Sequence, residues 1–236
     1  MITSENHIAL SLLAPVVQQM VLFGYHRLEP GIGWRDNELH HKRLFWRAFI
    51  SDHDLSLRMN KPPLIGSNFE VELPEEVPRD GACVLVFENG KTINYLREQV
   101  ILAKLQCKAY ELLYSIKASR RSVQELHASV DEIDNELIEW KQRIPEISRG
   151  HVGMSPLELN RLMSLTSLYY TYYQLVIAVH SFTLRGLSHN GQLEDKERII
   201  DSVALCVGAA RASISLLNSH EKNHSFTTYA VSTVST

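Results

Sequence analysis

The run His220-Glu221-Lys222-Asn223-His224 matches the pattern H-E-x-x-H. In zinc peptidases the two histidines sit one helical turn apart and the glutamate activates the metal-bound water. That chemistry needs a third ligand. None of the twelve residues after His224 is His, Asp, Glu or Cys. Asn218, Ser219 and Ser225 read as a helix running out into a polar loop. The match is therefore attributed to chance, and a zinc peptidase stays only as a remote alternative.

The other candidates are weaker. Cys83, Cys107 and Cys206 have no paired spacing, so they make neither a disulfide framework nor a thiolate zinc site. A reducing compartment is the simplest reading. Gly31-Ile32-Gly33 follows no strand and lacks the third glycine of a dinucleotide loop. Asp131, Glu132 and Asp134 fall off the apolar stripe of their helix and read as a solvated face, not a magnesium site. His40-His41 reads as the polar first turn of a helix. The cations at Lys117, Arg120 and Arg121 read as a helix end, with Ser122 a remote phosphorylation site. No Ser-His-Asp or Cys-His arrangement can be singled out among eleven histidines. Catalytic, metal-ligating and cofactor-binding residues are all expected to be absent, and the chain is read as a non-enzyme.

These residues must be held by something, and composition limits what. The chain has 236 residues, 44% apolar and 22% charged, with 24 basic and 27 acidic side chains and a net charge of −3. That excludes a fibrous or disordered chain. It also argues against direct contact with nucleic acid, which needs a basic surface. The apolar stretch 8–23 has no basic leader and carries Pro15, Gln18 and Gln19, so it reads as neither signal nor membrane span. Asn223-His224-Ser225 is a glycosylation triplet without meaning in an unsecreted chain. The protein is expected to be intracellular, with no membrane contact.

The dominant pattern is helical. Ile93, Leu96, Val100, Ala103, Cys107, Tyr110 and Tyr114 step by three and four, predicting a helix over 92–119. Ser122 and Glu125 form a capping box before Val123, Leu126, Val130, Ile133, Leu137 and Trp140, and Pro145 ends that helix. Ser155-Pro156-Leu157-Glu158 opens a third helix, which closes at Gly186 and is apolar on several faces. A fourth covers 193–218, with Ile199, Val203, Cys206, Ala210, Ser213 and Leu217 inward. Upstream, Asp36 caps a helix over 37–59 whose buried face is Leu44, Phe45, Ala48, Phe49, Asp52, Leu55 and Met59. The only strand candidate is the short run 83–87. Residues 60–91 hold Pro62, Pro63, Pro74 and Pro78 and form a long irregular loop that wraps the surface or carries function. The expected fold is all-α: a multi-helix bundle of five to six helices with a long irregular loop after the second helix. The expected domain is 1–220, with 221–236 a weakly structured tail.

The block Lys42-Arg43-Leu44-Phe45-Trp46 through Asp52-His53-Asp54-Leu55-Ser56-Leu57-Arg58-Met59-Asn60-Lys61-Pro62, followed by Glu70-Val71-Glu72-Leu73-Pro74, resembles the signature of the fungal-specific transcription factor domain. This is the middle homology region of fungal zinc-cluster (Zn2Cys6) regulators, whose pattern is roughly R-R-L-W-W, L-D-R-x-L-S-x-x-L-G-R-P. Leu22-Phe23-Gly24-Tyr25-His26-Arg27 resembles the close of the family's preceding helix. The runs Tyr110 to Ser115 and Leu137 to Pro145 and the Tyr169-Tyr170 helix have counterparts in the same order. The likeness covers about residues 5–218.

The resemblance assigns structural roles to Arg43, Phe45, Trp46, Asp52, Ser56, Lys61 and Pro62. This sequence departs from the pattern at Phe45, His53, Asn60 and Lys61. Asn60 tolerates a left-handed backbone, and Lys61 keeps the charge without the bidentate fork of arginine. An acid on an apolar helix face needs a partner, so Asp52 is expected to make a structural salt link to Lys61 or Arg58. The resemblance further implies a nuclear regulator of RNA polymerase II transcription of metabolic genes. It implies protein partners or self-association and a small-molecule effector. Zinc would belong to a cysteine cluster that this sequence does not contain. The alternative is a free-standing helical interaction module that modulates a full-length relative. Because the sequence starts inside the homology region, an exposed apolar face is expected around Leu12 to Phe23 or on the Tyr169 helix.

Overall fold

The computed structural model of the protein describes residues 2–27, 37–67, 69–147, 154–186 and 193–221. It is all-α apart from one small hairpin, and the long irregular segment follows the second helix as expected. The chain divides into two compact units, Met1–Ser129 and Val130–Thr236.

In the first unit, α1 (Ile2–Leu22) and α3 (Tyr95–Ala109) both pack against α2 (Glu38–Met59). The buried face of α2 is Phe45, Trp46, Ala48, Phe49, Asp52, His53 and Ser56. This is one step round from the expected face, because Leu44 is exposed and Trp46, His53 and Ser56 turn inward. Trp46 and Phe49 bring the largest apolar areas on the helix, and burying them outweighs burying Leu44. Val17 and Met20 of α1 join Val100, Ala103 and Cys107 of α3 in the same core. Asn60 ends α2 with φ 51° and ψ 46°, a left-handed cap. The Lys61 amide donates to the Ser56 carbonyl and the Asn60 amide to Leu57, the paired bonds of a Schellman turn.

The predicted strand is real but short. β1 (Val84–Val86) pairs antiparallel with β2 (Thr92–Asn94), Leu85 opposite Ile93. The helix expected from residue 92 therefore starts later, where the Asn94 side chain accepts from the Arg97 amide. It also ends earlier. At Tyr110–Tyr114 the backbone widens into a π-turn, closed by the Ser115 amide on the Tyr110 carbonyl at 2.9 Å. A single 3₁₀ turn, Ala118–Arg120, follows. No Pro or Gly marks this break, so the apolar stepping runs through it unbroken.

The second unit opens within α4 (Val123–Arg143) and contains α5 (Pro156–Gly186) and α6 (Leu193–Glu221). Both predicted capping boxes form: Ser122 with Glu125, and Ser155 with Glu158. Trp140 of α4 stacks on Tyr172 of α5 at 5.5 Å and meets Tyr169 edge-on at 6.1 Å. The opposed directions of α5 and α6 follow from two contacts, His180 with Ser202 and Cys206 with the Ile177 carbonyl. The expected inner face of α6 needs correction. Among its described side chains Ser202 and Ala209 are buried, while Val203 and Leu217 are exposed. Small side chains set this contact: Ser and Ala let α6 sit close to α5, which turns the larger aliphatics outward. The tail beyond residue 221 and the second half of the H-E-x-x-H run lie outside the described residues, as do Gly31-Ile32-Gly33 and Asp36.

Candidate functional site

The segment after α2 is a strap bound by side chains, and most of its anchors come from α2. Its backbone lacks a ladder partner, so its polar groups must be met another way. Asp52 is fully buried and accepts from the Leu64 amide at 3.0 Å, the Ile65 amide at 2.7 Å and the Ser56 hydroxyl at 3.3 Å. The expected salt link is therefore corrected. Lys61 is exposed, and Arg58 pairs with Asp54 one turn back at 3.0 Å. Backbone amides serve a buried carboxylate without desolvating a second charge.

Further along, the Trp46 indole donates to the Glu72 carbonyl at 2.9 Å. Arg97 donates to the Pro74 carbonyl at 2.6 Å, and the Asn94 amide donates to Glu75 at 2.8 Å. Arg43 forks onto both oxygens of Asp80 at 2.6 and 2.7 Å. That fork is the main reason the Asp80 carboxyl is held down to about 2, with the Ala82 amide adding to it. Phe69 returns from the strap into the rings of Phe45, Trp46 and Phe49, with centroids 5.2 to 5.5 Å apart. Of the residues that resemblance singled out, Arg43, Phe45, Trp46, Asp52 and Ser56 thus converge on the strap. Lys61 and Pro62 lie exposed where it leaves α2.

Between the start of α2 and the strap runs a groove of about 590 Å³, lined by Glu38, His40, Lys42, Arg43, Glu72 and Asp80 among others. Several of its charges pair with one another. Lys42 bridges Glu38 at 2.8 Å and Glu72 at 3.0 Å, and Arg43 holds Asp80. Nearby, burial keeps His53 below the usual imidazole range; the Phe49 carbonyl and the Asp52 and Glu111 charges oppose it less strongly. The His53 ring lies tilted against Phe49 with centroids 3.9 Å apart, and its Nδ1 meets the Phe49 carbonyl at 2.9 Å. Burial first, then Glu111, pushes the Cys107 thiol up to about 12, so it is no thiolate nucleophile. Among the described residues no group of three His, Cys, Asp or Glu side chains could hold a metal ion.

Sequence reasoning missed a polar cluster in the second unit. His180 of α5 is buried, with Nε2 at 3.2 Å from Asp134 of α4 and Nδ1 at 3.3 Å from the Ser202 hydroxyl of α6. Beside it Arg198 forks onto Asp131 at 3.0 and 2.7 Å. The acidic run of α4 is therefore partly an interhelical contact, not only a solvated face. The trio has the elements of a hydrolytic triad. Ser202, however, is buried in mid-helix, where the backbone amides already serve the helix and none is free for an oxyanion. The arrangement clamps three helices. Its members lie tens of residues apart, so no local motif could reveal it.

Two curated proteins align with this chain over 220 residues. It is 31% identical to an ABC-transporter-regulating transcription factor of Aspergillus oryzae, and 30% identical to the protein of that name from Aspergillus fumigatus. Each alignment covers 87% of this chain and 25% of the relative, so the chain spans about a quarter of their length. No protein-family model matches the chain. No solved structure matches it either.

Proposed function

We propose that this chain is the regulatory body of a fungal zinc-cluster transcription factor that governs ABC-transporter genes. The carrying observation is the alignment through nearly the whole chain to two factors named for that task. In this reading residues 1–220 form a fungal-specific transcription factor domain in the nucleus. It acts on RNA polymerase II transcription, holds no cofactor and performs no catalysis. The net charge of −3 supports a part that leaves DNA contact to another module. The pairing of Lys42 with Glu38 and Glu72 and of Arg43 with Asp80 supports a packing role for these side chains. Control would come from a shift in helix packing when a small-molecule effector or protein partner favours one arrangement.

A fusion to a heterologous DNA-reading module tests this. The fused chain should raise or lower a polymerase II reporter relative to the module alone. Unchanged output from a nuclear, soluble fusion would contradict the proposal. A second reading, a free-standing module that modulates a full-length relative, is favoured by the exposed apolar side chains Leu12, Val16 and Leu22 of α1 and Phe23 just after it. Capture of a full-length zinc-cluster factor by this chain, without any reporter effect of the fusion, would select it. On the Tyr169 helix, Tyr169 itself is buried and Leu157 is exposed.

A further inference from the structure

A cleft of about 520 Å³ opens among α4, α5 and α6, beside the Asp134–His180–Ser202 clamp. Four carboxylates line it, Asp131 and Asp134 from α4 and Glu197 and Asp201 from α6, against one guanidinium, Arg198. The α4 pair is already used: His180 meets Asp134 at 3.2 Å, and Arg198 forks onto Asp131. Glu197 and Asp201 are left over. They stand one helical turn apart on α6, are exposed, and have no ion-pair partner among the described residues. Like charges at that spacing repel and weaken the helix. A cation seated between them would relieve that repulsion.

An acidic rim alone would be an ordinary solvated face, and the buried wall of the cleft adds a second demand. Thr183 of α5 lines the cleft and is only 5% exposed. Two other threonines of the same helix return their hydroxyls to the carbonyl one turn back, Thr166 to Leu162 at 2.8 Å and Thr171 to Ser167 at 3.1 Å. Thr183 makes no such bond, and its hydroxyl has no hydrogen-bond partner among the described residues. The neighbouring His180 is engaged at both nitrogens, with Asp134 and with the Ser202 hydroxyl. A buried hydroxyl left unmet costs stability, so this one calls for a polar group inside the cleft. The cleft is far larger than one ion, and no three of its acidic and imidazole groups could hold a metal. Its carboxylates come from two helices, with Val130 and Leu205 offering apolar contact. Several ammonium groups on methylene spacers match that layout better than a single point charge. We infer that the cleft binds a small organic cation, a linear alkyl polyamine, with ammonium groups on Glu197 and Asp201 and an N–H donated to the Thr183 hydroxyl oxygen.

This binding is a property of the chain itself and goes beyond the transcription reading; its failure would leave that reading standing. Isothermal titration of the full chain with spermidine tests it. Saturable binding should appear and weaken as salt rises. Glu197→Gln combined with Asp201→Asn should weaken binding about tenfold or more, because both unpaired charges go while the clamp stays intact. Thr183→Val removes the hydroxyl and nearly keeps the shape. It should raise the melting midpoint of the free chain and weaken spermidine binding, opposite effects that a residue serving packing alone would not give. Thermal melts followed by circular dichroism check that each variant keeps its helices. A folded wild-type chain without saturable binding would overturn the inference. So would binding unchanged by the double variant, which would reflect only the diffuse negative charge of the chain. Equally tight binding of magnesium ion alone would also overturn it, as a charge effect without a shaped site.

Discussion

Asp52 shows most clearly how one side chain orders a segment with no regular structure. Its two oxygens take the Leu64 and Ile65 amides and the Ser56 hydroxyl, and the side chain is buried. Asp52→Ala should cost about 2–5 kcal/mol, because it strands amides at the head of the strap. Urea unfolding checks this, and an unchanged midpoint would refute the anchor. Arg43→Lys keeps the charge and loses the fork. The Asp80 carboxyl should then titrate closer to the ordinary 3.8 than to about 2 when followed by NMR. His53 makes stability depend on pH. Burial lowers its folded pKa below the ordinary imidazole value of 6.5, so the unfolded chain binds a proton first as pH falls. The stability from neutral His53 is whole above that value and declines below it. The difference in denaturation midpoint between wild type and His53→Leu should shift accordingly across that range, and a pH-independent difference would contradict this.

At the scale of elements, the strap behaves as one unit because α2 and α3 hold its backbone at successive points. Hydrogen exchange should find the Leu64 and Ile65 amides protected well beyond ordinary loop amides, and Asp52→Ala should abolish the protection. Capping chemistry made the helix starts legible: Ser122 with Glu125, Ser155 with Pro156 and Glu158, and Asn60 at the left-handed end of α2 all read directly from residue type. The π-turn at Tyr110–Tyr114 was not legible, because its apolar spacing continues the helix and only the hydrogen bonds change. The inner face of α6 was misread for a related reason. Periodicity ranks aliphatics as buried, whereas close packing on α5 selected Ser202 and Ala209. The Asp52 anchor was half legible. An acid on an apolar face announced a buried partner, but backbone amides have no signature in sequence.

For the whole molecule, the largely helical body and the alignment to two transporter-regulating factors support one role, that of a control part. The order of motifs along the chain carried that reading, since each short run alone is loose. The Asp134–His180–Ser202 clamp shows what order cannot convey, because long-range contacts exist only once the helices have packed. The most direct measurement replaces the corresponding quarter of the Aspergillus fumigatus factor with this chain and follows ABC-transporter transcripts. The chimera should sustain transporter expression, and the same chimera with Asp52→Ala should lose it as the strap comes free. Basal transcripts from a chimera that accumulates normally would contradict the account.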